Sequence, residues 1–312
     1  MAGPLLGVNA GWELYGRGDG VVVRVALARG RITRTTVPTL SSSGPVSFIA
    51  GNGWALVRPI DFVPGYLIPD GQPARSLTGA LGDGGPAFPG PDPNHVWVPV
   101  SGDEPNRMVL VGTDGRRTGL TLPIPAGSSP LSAIPDQTGY VLYPDIGTGA
   151  YDTRPDHSSR ISPGTVLAVG PTRWLISECD RRHRCTTMLI NRSTGARREL
   201  DTAPVRDGVL PGAISPDGTM AALLVRSPSP AIETIDLATG TAHTLSPHVN
   251  LSTANEQSLV WSPDSRWVFA TGASGDVYAV NAGTGQITDL TDITGRALPP
   301  LSQIAIRAAP AN

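Results

Sequence analysis

Lysine is absent from this chain of 312 residues, and arginine provides all 24 of its basic side chains. This absence excludes Schiff-base chemistry on the protein, a lysine general base and a phosphate loop of the Walker type. The 26 acidic residues bring the formal charge to -2, so the molecule as a whole does not attract polyanions. We therefore expect no nucleic-acid partner, and any electrostatic recognition must be local.

Long hydrophobic runs are missing as well. No stretch approaches the roughly 18 consecutive apolar residues that a membrane helix needs. The opening residues 1–6 contain neither a charged region nor a long apolar segment, so they do not resemble a signal peptide. We expect no membrane insertion by this segment.

The common catalytic motifs are also absent. The sequence contains no Gly-x-Ser-x-Gly elbow, no His-Glu-x-x-His pair and no Gly-x-Gly-x-x-Gly fingerprint after a strand. Its five histidines are far apart and lack the spacing of metal ligands: His95, His157, His183, His243 and His248. We therefore predict no cofactor and no metal site, and we assign no catalytic residue.

Turn-forming residues, in contrast, are abundant. The chain has 37 glycines and 31 prolines, and they separate short apolar runs such as residues 21–27 and 267–270. This alternation favours buried β-strands joined by tight turns over a disordered linker. The sequence therefore predicts an all-β protein.

One unit recurs along the chain. Its clearest copy covers residues 213–245, in the order strand, Ser-Pro-Asp-Gly turn, strand, loop, strand, Thr-Gly turn and strand. A twin copy covers residues 260–290, with Ser262-Pro-Asp-Ser265 as its first turn. Fainter copies begin near Val46, Ala87, Leu131 and Val166. A repeat of this length with four strands is typical of a propeller blade.

These units predict one domain, residues 1–312, that forms a seven-bladed β-propeller of four-stranded antiparallel blades. The N-terminal segment supplies three strands, and residues 301–307 have the alternation of the missing fourth. We therefore expect a C-terminal strand to complete the N-terminal blade and close the ring. The expected blades are residues 8–37 with 300–308, 46–77, 87–122, 131–162, 165–200, 210–245 and 257–290.

Large side chains recur just after the first turn of the units. They are Trp12, Trp54, His95, Tyr140, Trp174, Met220 and Trp267. A fixed place in each repeat favours packing between neighbouring blades over a platform that stacks sugars or bases. The aspartates of the first turns are expected to cap their own backbone, and they are Asp136, Asp217 and Asp264.

The turns Ser215-Pro-Asp-Gly218 and Ser262-Pro-Asp-Ser265, each between two short apolar strands, resemble the repeats of TolB-like and WD-like propellers. The resemblance covers the whole chain in architecture and is specific in the last two units. The general character of the sequence is also similar to that of extracytoplasmic proteins of high-GC actinobacteria. It implies a scaffold for protein–protein interaction, at the cell surface or secreted, with a membrane anchor in the full-length protein, although a fold does not fix a function.

The chain has two cysteines, Cys179 and Cys185, which flank a five-residue loop between the second and third strands of the fifth unit. Two antiparallel strands joined by such a loop bring these positions within disulfide range. A metal site would need further ligands that no nearby Cys or His supplies. We therefore expect a disulfide, and with it an oxidising compartment.

The enclosed loop is the candidate binding site, because it carries Arg181, Arg182, His183 and Arg184 against the single acid Asp180. A rigid basic tip suits phosphate or carboxylate groups on a protein or an anionic cell-envelope partner. The alternative is an ordinary solvated hairpin. We expect the tip to lie on the face of the connectors between blades, beside residues 78–86, 201–211 and 246–257.

The alternative function is that of a propeller enzyme, similar to lactonases or glycoside hydrolases. Such enzymes assemble a site at the mouth of the central channel from residues of several blades, which sequence spacing does not exclude. The candidate carboxylates are Asp207, Glu256 and Asp292. An enzyme would show several carboxylates and a histidine together at the mouth, whereas a binding module would show an exposed patch.

Overall fold

The computed structural model describes residues 4–8, 11–39, 45–61, 63–100, 106–145, 149–201, 209–225, 230–246 and 258–308. Within these ranges the regular structure is almost entirely β, as predicted. The strands are β1 (Trp12–Gly18), β2 (Val21–Ala26), β3 (Arg31–Thr36), β4 (Val46–Gly51), β5 (Trp54–Pro59), β6 (Tyr66–Pro69), β7 (Arg75–Ser76), β8 (Phe88–Pro89), β9 (His95–Pro99), β10 (Arg107–Gly112), β11 (Arg117–Pro123), β12 (Ile134–Pro135), β13 (Val141–Asp145), β14 (Gly149–Arg154), β15 (His157–Ser162), β16 (Thr165–Val169), β17 (Arg173–Cys179), β18 (Cys185–Asn191), β19 (Arg197–Leu200), β20 (Val209–Ile214), β21 (Met220–Val225), β22 (Ala231–Asp236), β23 (Ala242–Ser246), β24 (Leu259–Trp261), β25 (Trp267–Thr271), β26 (Val277–Asn281), β27 (Ile287–Asp289) and β28 (Gln303–Ala308).

Short helices interrupt the strands at a few places. One α-helical turn, α1 (Leu290–Ile293), follows β27, and 3-10 turns occupy Leu5–Gly7, Leu27–Arg29, Gly79–Leu81 and Pro130–Ser132. The apolar run at residues 21–27 therefore ends as a strand at Ala26, because Leu27 is the buried first residue of a 3-10 turn. Hydrophobicity alone does not distinguish the strand residues from the 3-10 turn that follows them.

Strands that are consecutive in the chain pair with each other. Four four-stranded sheets are β4–β7, β8–β11, β12–β15 and β24–β27, and a fifth has the order β28-β1-β2-β3. All pairs within these five sheets are antiparallel. The prediction of a β-propeller with four-stranded antiparallel blades is confirmed.

The predicted count of seven separate blades is wrong. The described residues form five four-stranded blades, and β16–β23 form one continuous sheet of eight strands. Its halves, β16–β19 and β20–β23, join where β16 and β20 pair in parallel, with Ala168 opposite Gly212. Small residues permit this approach, because a Cβ atom on Gly170 would lie 2.6 Å from the Cβ of Ile214. A sequence repeat locates each group of four strands. It does not show which neighbouring groups also hydrogen bond to each other to form one sheet.

The predicted closure of the ring is confirmed. Strand β28 pairs antiparallel with β1, from Trp12 opposite Ala308 to Arg17 opposite Gln303. The Gln303 amide also donates to the Val46 carbonyl at 2.7 Å, in the first strand of the next blade. The closing strand therefore covers the edge of β1 and contacts the neighbouring sheet.

Of the recurring large side chains, the four tryptophans lie in the core, as expected, whereas His95, Tyr140 and Met220 are half-buried. Trp12, Trp54, Trp174 and Trp267 are each at least nine-tenths buried. Trp12 and Trp267 belong to one cluster that joins the first and last blades. Burial of one such side chain contributes on the order of 2 kcal/mol, so these contacts help to hold neighbouring sheets together.

The Ser-Pro-Asp turns have the predicted structural role. The Ser262 hydroxyl donates to the Asp264 carboxylate at 2.6 Å and accepts from the Trp267 backbone at 2.9 Å. Ser215 and Asp217 form the same contact at 2.6 Å in the preceding copy. Asp264 also accepts from the Arg266 N–H at 3.0 Å and Asp217 from the Thr219 N–H at 3.1 Å, so both aspartates cap their own backbone, as the sequence predicts.

Candidate binding surface

The predicted basic loop is the tip of the β17–β18 hairpin. The two strands pair without interruption from Arg173 opposite Asn191 to Cys179 opposite Cys185. The middle of the hairpin is anchored in the core, because Leu175 is completely buried. Residues 179–184, in contrast, are exposed. The core thus fixes the hairpin while its tip projects into solvent.

Cys179 and Cys185 form the predicted disulfide, with their Cα atoms 3.9 Å apart. The next pair toward the tip is hydrogen bonded, from the Asp180 backbone N–H to the Arg184 carbonyl at 2.9 Å. The cysteines therefore occupy a non-hydrogen-bonded pair, where side chains on neighbouring strands come closest. The loop that they close is short, so the bond contributes about 2 kcal/mol or less by chain entropy.

Asp180 fixes the tip independently of the disulfide. Its Oδ1 accepts from the backbone N–H groups of Arg182 and Arg184 at 2.8 and 2.9 Å. The backbone and the guanidinium of Arg184 together lower the pKa of the Asp180 carboxyl, which is therefore ionised at neutral pH. His183 adopts the left-handed φ of 59° and donates its N–H to the Asp180 carbonyl, which completes a compact turn.

The basic residues of the tip differ in role. Arg184 is paired with Asp180, with Nη2 and Oδ2 2.8 Å apart, so it belongs to the turn. Arg181 and Arg182 are exposed, and in the ranges that the structure describes their guanidinium groups have no ion pair or hydrogen bond. The sequence grouped all four basic residues together, whereas the geometry leaves Arg181 and Arg182 available to a partner, with His183 exposed beside them.

The hairpin belongs to the most basic part of the sequence. Residues 165–200 contain seven arginines and three acidic residues, a net charge of +4. Residues 201–290 contain three arginines and nine acidic residues, a net charge of -6, and the rest of the chain has 14 of each. The overall charge of -2 therefore conceals an uneven distribution of charge along the sequence, and the hairpin lies in its most basic segment.

At the opposite end of the same hairpin, Arg192 is buried. Its side chain is 7% exposed, and its Nη2 lies 2.5 Å from Oδ2 of the fully buried Asp136. Its Nη1 donates to the carbonyls of Asp136 and Gly170 at 2.8 and 3.0 Å. The guanidinium also lies over the Trp174 ring, 5.1 Å from its centroid. Arg192 therefore joins the eight-stranded sheet to the blade that contains Asp136.

Two carboxylates of this network differ in environment. Burial would raise the pKa of Asp136, but Arg192 and the hydrogen bonds outweigh it, so that pKa lies below its usual value. Burial dominates at Asp152 and raises its pKa despite the nearby Arg154 and Arg192. The Asp136 cap on its own turn was predicted and is confirmed, with the Thr138 N–H at 2.8 Å. The ion pairs were not predicted, because Arg154 and Arg192 are distant in sequence.

A second ionic network lies at the closure of the ring. The buried Glu13 accepts from Arg24 at 2.8 Å and from Arg307 of the closing strand at 2.9 Å. Arg307 also pairs with Asp70 of the next blade at 2.7 Å, and the Tyr15 hydroxyl donates to Asp70 at 2.8 Å. Two arginines therefore balance two carboxylates where β28, β1 and the second blade meet.

The connector at residues 78–86 is held by a buried arginine. Arg58 is 1% exposed and donates to the carbonyls of Leu81 and Pro86 at 2.9 and 2.7 Å. Burial lowers its pKa to about 10, partly offset by Asp83, so it remains charged at neutral pH. These hydrogen bonds hold this part of the predicted rim in place. Residues 202–208 and 247–257 of the other two connectors lie outside the described residues.

The carboxylates considered for an enzyme are not seen together. Asp292 is exposed on α1, and Asp207 and Glu256 lie outside the described residues. Among the residues that the structure describes, no group of three His, Cys, Asp or Glu side chains could hold a metal ion. In those same residues, no helix has the length and apolar character to span a membrane.

The histidines do not form a cluster in the described residues. His95 lies 2.7 Å from the carboxylate of Asp92, within its own turn. His157, His183 and His243 are exposed, and His248 lies outside the described residues.

No family model and no curated protein matches this sequence, but solved structures share its fold. A functionally unknown protein from Desulfotomaculum acetoxidans DSM 771 has a TM-score of 0.60 at 10% identity, over 95% of this chain and 99% of that one. A candidate 6-phosphogluconolactonase from Bacteroides uniformis ATCC 8492 has a TM-score of 0.56 at 14% identity, over 96% and 100%. A candidate TolB from Agrobacterium tumefaciens has a TM-score of 0.43 at 12% identity, over 65% and 79%.

At these identities the similarities establish the fold and do not transfer an activity. The TolB similarity is also too low to support a narrower assignment, so the TolB-like and actinobacterial parts of the resemblance stay predictions. The conclusion that the fold, its internal packing and these comparisons share is that the chain is a β-propeller.

Proposed function

We propose that this chain is a non-catalytic binding module that acts outside the cytoplasm and recognises an anionic group on a protein or cell-envelope partner. The observation that carries the proposal is the pair Arg181 and Arg182, exposed and without partners in the described residues, on the tip of the β17–β18 hairpin. Arginine suits this role because its planar fork binds carboxylate or phosphate through two hydrogen bonds.

The rigidity of the tip supports a binding role. A ligand that orders a flexible loop loses affinity to the entropy of ordering, whereas a loop that is already fixed avoids that loss. The tip is held by the disulfide and separately by the carboxylate of Asp180. Arg181 and Arg182 are therefore presented from a backbone that is already fixed.

The disulfide also supports the proposed location. Disulfides persist in oxidising compartments and are rare in reducing ones. The Cys179 side chain is exposed, so the core does not shield the bond from reductants. These observations support the proposal that the protein acts at the cell surface or is secreted.

The connector face supplies further binding area in this proposal. Because strands alternate in direction, the loop after the second strand of a blade lies at the same end as the connector after its fourth strand. The hairpin tip is a loop of the first kind, and the segment at residues 78–86, held by Arg58, is a connector of the second kind.

The test compares two arginine pairs of equal charge. Arg181→Gln/Arg182→Gln removes the pair at the tip, and Arg116→Gln/Arg117→Gln removes an adjacent, exposed pair at the β10–β11 turn. Immobilised protein is assayed against a polyglutamate peptide, phosphatidylglycerol vesicles and envelope extract. We expect saturable binding to at least one of them that weakens with salt.

The tip variant should bind that partner at least tenfold more weakly, because hydrogen bonds to charged groups contribute about 1.5–3 kcal/mol each. The control variant should bind as the unmodified protein does. Equal losses of binding in both variants would show that net charge alone causes the effect. Unchanged binding by the tip variant would refute the proposed site.

A further inference from the structure

A second site lies where the first blade meets the blade β4–β7. A pocket of about 40 Å³ opens there, bounded by the turn between β1 and β2 and by the chain that follows β3. Its polar residues are Arg17 and Asp19, and its apolar wall includes Val37, Val57 and Tyr66. This pocket is separate from the hairpin tip and does not depend on the function proposed above.

Arg17 is the unusual residue of this pocket. It is partly buried, and in the described residues its guanidinium forms no ion pair within 4 Å. Its Nη1 donates to the Gln303 side chain at 2.8 Å and to the Ser302 hydroxyl at 3.2 Å. The structure shows no acceptor for its Nε and Nη2 in those residues, so these donors remain available to a ligand.

Burial of an arginine without a carboxylate partner is unfavourable, because the charge loses water and gains little in return. Other buried arginines have either a carboxylate, as with Arg192 on Asp136 and Arg307 on Glu13, or several carbonyl acceptors, as with Arg58 on Leu81 and Pro86. Desolvation accordingly lowers the pKa of Arg17, and Asp19 offsets the effect only in part. A bound anion would supply the missing partner.

We infer that this pocket binds a small monocarboxylate with an apolar substituent. The carboxylate lies against the free donors of Arg17, and the substituent lies against Val57 and the Tyr66 ring. The pocket volume of about 40 Å³ holds roughly three waters, which is enough for the carboxylate group, and the pocket is open to solvent, so a longer substituent can extend along the apolar wall and past its mouth. The negative charge of Asp19 in the same pocket disfavours phosphate and other multiply charged anions.

The experiment titrates the protein with acetate, butyrate and inorganic phosphate at fixed ionic strength and follows the Tyr66 ring by NMR. Butyrate should saturate and bind severalfold more tightly than acetate, since a fully buried methylene contributes about 0.8 kcal/mol and the methylenes of butyrate contact the apolar wall only in part. Phosphate should not saturate. Absence of saturable butyrate binding, or phosphate binding that is as tight, would overturn the inference.

Three variants locate the site. Arg17→Gln should weaken butyrate binding at least tenfold, and Arg31→Gln, an exposed arginine of the same blade, should have no effect. Because Arg17 also bonds Gln303 of the closing strand, its variant could lose stability, and Asp19→Asn provides a test that leaves this bond intact. Asp19→Asn should tighten butyrate binding severalfold, and unchanged affinity there would contradict the assignment.

Discussion

The β17–β18 hairpin carries arginine near both of its ends, and the two ends use it differently. Arg192 follows β18 inside the protein, where it is bonded to the buried Asp136 and packed on Trp174. Arg181 and Arg182 lie at the other end in solvent, with no partner in the described residues. One end of the hairpin therefore serves the fold, and we propose that the other serves recognition.

The difference follows from the physics of burial. A guanidinium taken out of water requires a carboxylate and several acceptors, and once these are present its removal leaves a buried charge unpaired. An exposed guanidinium keeps its water and contributes little to stability. Substitutions at the buried end should therefore lower the free energy of unfolding far more than substitutions at the exposed end. Removal of the disulfide should have an effect between these two.

The largest effect is expected at the buried end. Arg192→Ala leaves the fully buried Asp136 without its main partner and should lower the free energy of unfolding by about 3–5 kcal/mol. Urea denaturation of the purified protein measures this change. A loss below about 1 kcal/mol would mean that Arg154 alone satisfies Asp136, and the contrast between the two ends would fail.

The dependence of stability on pH should also show that the buried Asp136 stabilises the fold. The folded pKa of Asp136 is depressed, so its contribution to stability is present above its unfolded pKa and is lost as the pH falls through the folded value. Asp136→Asn should therefore flatten the decline of the unfolding free energy below about pH 4.

Asp152 should act in the opposite direction. Its folded pKa is raised, so the folded state binds a proton more readily and its contribution to stability grows as the pH falls through that value. Asp152→Asn should make the decline in acid steeper than in the unmodified protein. Parallel curves for the Asp136→Asn and Asp152→Asn variants would contradict the different environments assigned to these carboxylates.

The disulfide should have an intermediate effect. Cys179→Ser/Cys185→Ser should lower the free energy of unfolding by about 2 kcal/mol or less, because the loop between the cysteines is short. The tip should keep its shape, since Asp180 still accepts the N–H groups of Arg182 and Arg184. Chemical shifts of these two N–H groups report the turn, and their collapse to random-coil values would show that the disulfide alone holds it.

The sequence predicts the parts of this molecule that repeat. The Ser-Pro-Asp turns, the large side chains that follow the first turn of each unit and the closing strand each carry a local pattern that specifies a position. The disulfide was predictable because Cys179 and Cys185 are near neighbours that flank a turn.

Contacts between distant residues were not predictable. The parallel pairing of β16 with β20, the ion pair of Arg192 with Asp136 and the Arg17 pocket each depend on packing between sheets. In the basic loop the sequence gives the charges, but it does not show that Asp180 engages Arg184 and leaves Arg181 and Arg182 free. All four basic residues share one sequence pattern, and only the three-dimensional contacts show that their roles differ.

The variant with the smallest expected change in stability also provides the most direct test of the proposed recognition role. Arg181→Gln/Arg182→Gln should leave the free energy of unfolding within about 0.5 kcal/mol of the unmodified value. The same preparation should lose its retention on the anionic surface that holds the unmodified protein. A variant that is as stable and no longer retained would support a tip built for recognition, whereas one that is destabilised by more than about 1 kcal/mol, or is retained unchanged, would contradict it.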